Sequence, residues 1–473
     1  MIHSITTVLN VKIGESKSVP RIWMEGECLA RAGLKIDTRY RVQTTAEHRI
    51  ELHETAADDK GETFKVCSRN RHGVTRPLLE VRSRLLRAVF EQSERVRVAI
   101  RNGVIIITAH QLELNIVERS KRVIEKIRSG TSLAVCSLFH AGGVMDKAVH
   151  QGLAMGGLSS FVRVAVELSS VYLSASLRNN AELWQADSIA IQTDIRDMNW
   201  SNNAPACDVL VAGIPCNAAS KAGRAKNELE YAEDHDAAGS LFFDFLEGVK
   251  ATSPAIIIAE NVPEYRNTAG MAVIRSVLGT LGYQLFESVL DGNDFGALER
   301  RRRMVLVAVC KGLGRSFDFA ELSPVKVKEA CLNDILDPVP LDADCWKPYD
   351  GLARKAVTDK AAGKGFARQI LTGAEGYCGT VGKGYAKARS TEPFIQHPTD
   401  ATLSRLLTPA EHARIKGIPE SVFAGEAQTV AHEIMGQAVI FPLFQSVGAA
   451  VASLLRATVV GQVHQCRAEQ IAA

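Results

Sequence analysis

No two of the 10 cysteines in this 473-residue chain are spaced as Cys-x-x-Cys. A disulfide framework and a structural zinc site are therefore not expected, no metal ligands are assigned, and the composition suits a reducing cytoplasm. Net charge is also scarce. At +3 there is no overall field to attract nucleic acid, so any such affinity must come from local patches. Residues Met1 to Ser18 lack a basic start followed by an apolar core, which argues against a signal peptide. A single charge-free apolar stretch, Ala438 to Leu455, is interrupted by Pro442 and Gln445 and reads as a buried terminal helix, not a bilayer span. The length allows two or three domains around a large core.

Against these absences stands a set of apolar runs with chemistry at their ends. Asp208 to Ala212 reads as a buried parallel strand that leaves through Gly213-Ile214-Pro215-Cys216-Asn217. A thiol outside the carboxyl end of such a strand lies where open α/β sheets bind ligands, the place for a nucleophile; a lone cysteine is more often packed. Ala255 to Ala259 ends in Glu260-Asn261-Val262, and Met304 to Val309 follows Glu299-Arg300-Arg301-Arg302-Arg303. Cys, Glu and Arg thus recur at strand ends.

In this order the motifs Pro215-Cys216, Glu260-Asn261-Val262 and Glu299-x-Arg301-x-Arg303 resemble those of the DNA cytosine-5 methyltransferases. The segment Arg405 to Pro419, with Thr408, Glu411, Arg414 and Gly417, is similar to that family's ninth motif, and Gly436-Gln437-Ala438-Val439 to its last, with Gln437 in place of Asn. The resemblance spans roughly residues 133 to 455. It implies a Rossmann-like, S-adenosylmethionine-dependent α/β methyltransferase domain over 131–310, a small irregular target-recognition region over 311–400, and a recognition helix and returning terminal helix over 401–473. Glu299 stands where the family has Gln.

The cofactor assignments follow strand by strand. Leu133 to Phe139 is a buried strand, and His140-Ala141-Gly142-Gly143 a turn into a helix from Val144, a geometry that brings backbone N–H groups to a ligand. The family turn is Phe-x-Gly-x-Gly, so Phe139 and Gly143 match while Ala141 replaces a glycine; Ala141 must avoid positive φ or accept strain. Glu167, ending the run Phe161 to Val166, is placed to take ribose hydroxyls. Asp194-Ile195 resembles the family's adenine-binding Asp-Ile, although Asp194 also reads as a turn cap. Gly213, Pro215 and Gln437 complete the expected S-adenosylmethionine pocket.

For catalysis, the resemblance implies that the Cys216 thiolate adds to C6 of cytosine and so activates C5. Glu260 holds and protonates N3, and Arg301 and Arg303 grip the base carbonyl and a phosphate or steady the loop. The target base must be flipped from the duplex. Ser220 and Arg224 in the polar stretch after Cys216, and Arg405 and Thr408 in the ninth motif, are assigned to DNA. Thr408, Pro409 and Glu411 equally spell a capped helix start. Between Lys347 and Arg389 nine Lys or Arg face three Asp or Glu, which suits phosphate and base contacts or a solvated loop.

Residues 1–115 read as a separate β-rich unit. Leu29, Arg31, Ala32, Arg39, Arg41, Val42 and Ile50 recur 56 residues later as Leu85, Arg87, Ala88, Arg95, Arg97, Val98 and Ile106, a weak duplication. Val19 to Val42 resembles SymE-like proteins of the AbrB-type swapped-hairpin family, which implies DNA binding; dimerisation or packing on the enzyme explains the pattern as well. Residues 116–130 read as a charged linker helix. The expected partner is double-stranded DNA, no membrane is involved, and the resemblance allows a restriction endonuclease partner. Two other functions fit the same residues: a tRNA cytosine-5 methyltransferase, and a DNA-binding regulator with a degenerate methyltransferase body.

Overall fold

The computed structural model describes residues 6–46, 48–90, 93–200, 204–215, 239–363 and 368–472, with side chains left aside at 44, 45 and 461–472. The chain divides into two units, Met1–Glu118 and Arg119–Ala473.

The first unit is a closed barrel. Its strands are β1 (Thr7–Ser16), β2 (Val19–Glu25), β3 (Arg39–Ala46), β4 (Arg49–Thr55), β5 (Thr63–Arg71), β6 (Val74–Arg82), β7 (Arg95–Arg101) and β8 (Val104–Ala109). Alternating residues such as Val96, Val98 and Ile100 on β7 point inward, and Arg95, Arg97 and Arg101 outward, the period of two that a half-buried strand requires. Tight two-residue turns close three of the hairpins, with positive φ at Lys17 and Ser18, His72 and Gly73, and Asn102 and Gly103. Short helices α1 (Glu27–Arg31) and α2 (Leu85–Phe90) separate the hairpins, so each half runs hairpin, helix, hairpin. Around the barrel the order is β1-β2-β6-β5-β3-β4-β8-β7. Exchanging β1–β4 with β5–β8 leaves this ring unchanged, and each hairpin is flanked on both sides by hairpins of the other half. One core, including Ile22, Leu29, Leu52, Leu79, Val81, Val98 and Ile107, is therefore built jointly by both halves.

The second unit is a doubly wound α/β fold. Its sheet has the order β11-β10-β9-β12-β13-β15-β14, where β9 is Leu133–Leu138, β10 Ser160–Glu167, β11 Trp184–Gln192, β12 Val209–Gly213, β13 Ile256–Asn261, β14 Tyr283–Asp291 and β15 Arg302–Cys310. The first five positions pair in parallel, and β15 runs antiparallel to both β13 and β14. Covered on both faces, β9, β12 and β13 are nearly continuous apolar runs. The helix expected over 116–130 spans Gln111–Ser129 (α3), and within the second unit its charges are not linker charges. Arg122 and Lys126 both pair with the buried Asp208, at 3.0 and 2.6 Å, and Asp208 also accepts the Ala134 N–H at 2.7 Å. Sequence periodicity could not reveal this because the partner lies 82 residues away.

The segment after Lys311 is less irregular than its sequence suggests. It carries a helix, Asp350–Ala361, and a three-stranded sheet from Gln369–Leu371, Pro393–Gln396 and Ser404–Arg405. The terminal helix Phe441–Ala472 is long and apolar enough over Phe441–Val460 to cross a membrane, yet half of that window is buried in the protein. It lies against α4 (Val144–Met155) so closely that a methyl group on Gly152 would stand 2.2 Å from the Gln445 carbonyl oxygen. Gly152→Ala should thus destabilise the protein by about 1–3 kcal/mol through overpacking. Gly279→Ala, where no atom lies within 4 Å, should be neutral or stabilising; denaturant unfolding of the two variants checks the contrast.

Candidate active site

Strands β12 and β13 run side by side in a register that sets Gly213 opposite Glu260. The Glu260 carboxylate is divided between two neighbours. Its Oε1 meets the Arg303 Nε at 2.7 Å, with both side chains largely buried, and its Oε2 lies 3.9 Å from where a Cβ on Gly213 would stand. Asn261 ties this strand to the next loop by donating from Nδ2 to the Ile214 carbonyl at 3.2 Å. The Glu-Asn-Val and Pro-Cys segments are thus joined by main-chain register and a side-chain bond. Cys216, Ser220 and Arg224 lie outside the described residues; Pro215, half-buried, is the last described residue before them.

The two arginines diverge. Arg303 faces Glu260, whereas Arg301 is buried and turned inward, donating to Glu299 Oε1 at 3.4 Å and to the Gly436 carbonyl at 3.3 Å. A grip of Arg301 on the base is thereby corrected: its guanidinium is committed to the protein interior. Glu299 Oε2 in turn meets Lys416 Nζ at 2.6 Å, both side chains fully buried. Burial, aided by the nearby Arg301 charge, pulls the Lys416 ammonium down to about 7. Glu299 Oε1 also accepts the Val381 N–H, and Lys416 donates to the Val381 carbonyl. Lys416 was not singled out from sequence, since one x position of a motif looks like any other.

At the other strands' ends, the turn after β9 carries positive φ at Phe139 (57°), Ala141 (51°) and Gly143 (72°). Ala141 therefore accepts the strain, about 1–2 kcal/mol for a non-glycine residue. Glu167 accepts the Ala141 N–H at 2.7 Å and the Ser169 N–H at 2.8 Å, one bond per oxygen. Asp194 caps the short turn Ile195–Asp197 and binds the Arg196 guanidinium at 3.0 and 2.5 Å; the cap is real, and the hydrogen bonds from Arg196 hold its carboxyl below the usual range. Ile195 is buried. The buried Gln437 Nε2 has no hydrogen-bond partner among the described residues. A carboxylate with spare lone pairs bonded to a turn too tight for a side chain at Gly142 or Gly143, and an orphaned donor on the helix whose Ile434 packs on Gly142, fit a polar nucleoside such as S-adenosylmethionine.

The family model for C-5 cytosine-specific DNA methylase matches residues 154–453. The chain belongs to this family. Type II methyltransferase M.NlaX of Neisseria lactamica is 30% identical over 274 residues, 56% of this chain and 80% of that protein. M.HpaII of Haemophilus parainfluenzae is 28% identical, over 51% and 70% of the two chains, and a DNA-cytosine methyltransferase of Escherichia coli K12 is 30% identical, over 53% and 60%. The fold is similar to those of Schizosaccharomyces pombe Dnmt2 methyltransferase (TM-score 0.53, 16% identity, 68% of this chain and 98% of that one) and Entamoeba histolytica EhMeth (TM-score 0.53, 16%, 69% and 98%).

In this DNA cytosine methyltransferase the ninth motif is a structural knot. Arg405, 3% exposed, forks onto Glu411 with Nη1–Oε2 and Nη2–Oε1 distances of 2.7 and 2.8 Å. Thr408 caps the helix Pro409–Ile415 in a reciprocal capping box and donates to Asp337 at 2.9 Å. The assignment of Arg405 and Thr408 to DNA is corrected accordingly: both Arg405 Nη atoms are held by Glu411 inside the protein, and the Thr408 hydroxyl is taken up by the helix cap and Asp337. More exposed cations include Arg300, stacked on Tyr377 at 4.9 Å and 3.8 Å from Asp291, and Lys383 on Tyr172 at 4.8 Å, pairings the sequence did not signal. Lys416→Met should destabilise the enzyme by about 1–3 kcal/mol by leaving Glu299 Oε2 unsatisfied, with Arg301 still beside Oε1, and adding Glu299→Gln should recover part of the loss. A double-mutant cycle in urea measures this coupling.

Proposed function

We propose that the enzyme methylates carbon 5 of cytosine within a specific sequence of duplex DNA through a transient bond between Cys216 and C6. The observation that supports this most is the register of β12 on β13, which puts the Glu260 carboxylate, held by Arg303 at 2.7 Å, beside the strand that leads into Pro215-Cys216. S-adenosylmethionine, when bound by Phe139, Gly143, Glu167, Asp194 and Gln437, supplies the methyl group. Attack by the thiolate on C6 makes C5 nucleophilic; for this step Glu260 must carry a proton in the complex, which it gives to N3 as the ring takes on negative charge, while its other oxygen accepts from the exocyclic amine. Loss of the C5 proton then expels the sulfur and restores the double bond. None of this is reachable inside a stacked duplex, so the base is flipped into the pocket. The Type II names of the relatives favour a place beside a restriction endonuclease.

Tritium transfer from labelled S-adenosylmethionine to duplex DNA and to tRNA, run side by side, tests the reading. Label in DNA is expected; label in tRNA alone would overturn the substrate. Cys216→Ala should lower the rate by more than a thousandfold, and a variant that methylated as the parent does would defeat the covalent mechanism.

A second DNA contact is favoured for the barrel. On its outer face Lys12 stands directly opposite Arg95, and Asn10 opposite Arg97; Lys12, Arg95, Arg97 and Arg101 are exposed and make no ion pair with a described residue. Like charges across a strand pair repel, a cost that a phosphate backbone relieves. Replacing all four with alanine should weaken DNA binding by the full chain and flatten its dependence on salt. Loss of self-association in light scattering with unchanged DNA affinity would favour a dimer contact instead.

A further inference from the structure

The feature left over from the reaction is a buried histidine in the middle of the cofactor turn. His140 is 4% exposed and anchored at both ring nitrogens. Nδ1 lies 2.8 Å from Ser137 Oγ and 3.1 Å from Asp146 Oδ2. Because Ser137 gives its own proton to Asp146 at 2.9 Å, the ring donates from Nδ1, and Nε2 is hydrogen-bonded to Ser176 Oγ at 2.7 Å. The edge of the ring also meets Trp184, with centroids 5.5 Å apart. Its main chain is equally fixed: the N–H donates to the Val166 carbonyl at 3.1 Å, and the carbonyl accepts from the Gly143 N–H at 3.0 Å. A side chain on Gly143 would collide with this ring and with Ser176 Oγ, at 2.9 and 2.5 Å. The two residues that flank this pinned unit, Phe139 and Ala141, are the ones with left-handed backbone.

We propose that His140 is the positioning residue of the cofactor turn, its doubly anchored ring holding Phe139 and Ala141 in strained conformations that shape the S-adenosylmethionine site. Strain of this kind persists only where surrounding contacts over-determine it, and His140 supplies those contacts from within the turn. Without the ring, Ala141 relaxes toward negative φ and its N–H leaves Glu167, so the carboxylate meant for the ribose loses its fixed place. Glycine at 141 has no such preference and keeps the turn accessible without the anchor.

This rests on the cofactor reading above, and calorimetric titration of the full-length protein with S-adenosylhomocysteine separates the two. His140→Ala should raise the dissociation constant about tenfold while the kcat at saturating S-adenosylmethionine falls less than threefold. Adding Ala141→Gly should bring the dissociation constant back to within about threefold of the parent. Ser176→Ala, which removes the hydroxyl at Nε2 together with a long 3.4 Å contact from Asn180 Nδ2, should shift affinity in the same direction by a smaller factor, and keeps the test open if His140→Ala does not fold. Unchanged affinity in a folded His140→Ala or Ser176→Ala protein, or no recovery with Ala141→Gly, would overturn the role of His140. Absence of binding by the parent would overturn the cofactor reading itself.

Discussion

The site depends on one reversal of chain direction. β15 enters the sheet against the sense of β13, with Asn261 opposite Met304, so the start of β15 and the end of β13 fall on the same edge. Only that arrangement lets Arg303 reach Glu260 over 2.7 Å; a parallel β15 would carry the arginines to the far edge, a strand's length away. A carboxylate held by a guanidinium on a rigid strand loses little freedom when a substrate arrives, which is the advantage of building a site on sheet ends.

The same edge is tied to the rest of the second unit by charges taken out of water. Glu299 lies between Arg301 and Lys416, and through them touches the Gly436 carbonyl and the Val381 peptide. A buried ion of this sort contributes little net stability but is costly to break. It links the strand carrying Arg303, the segment containing Val381, and the end of the helix Gln428–Gln437 that presents Gln437. The interior carries other groups kept neutral by burial: His150 is pushed down to about 4, and the thiol of Cys378 is pushed up. Such groups belong to packing.

The barrel solves a different problem. Two short hairpin pairs cannot each bury a core, but interleaved they close a ring with no free edge. The interlocked order means that neither half has its native neighbours without the other, so its stability belongs to the pair.

What the sequence determined by itself was local in origin. The apolar runs ending in Gly213, Glu167 and Glu260 were legible because a doubly covered strand needs Val, Ile and Leu at every position. The order of motifs was legible because the chemistry fixes residue types, and the start of the helix at Pro409 because a capping box has its own spacing. The tertiary structure alone decided which of Arg301 and Arg303 faces the site, that Arg405 turns inward onto Glu411 while Thr408 caps a helix, and where the charges of α3 go. It also decided that Ala141 accepts a left-handed backbone and that Lys416 answers Glu299. Each of these is a contact between residues distant in the chain, or a conformation imposed by such contacts, and neither periodicity nor spacing carries information about which distant group will be near.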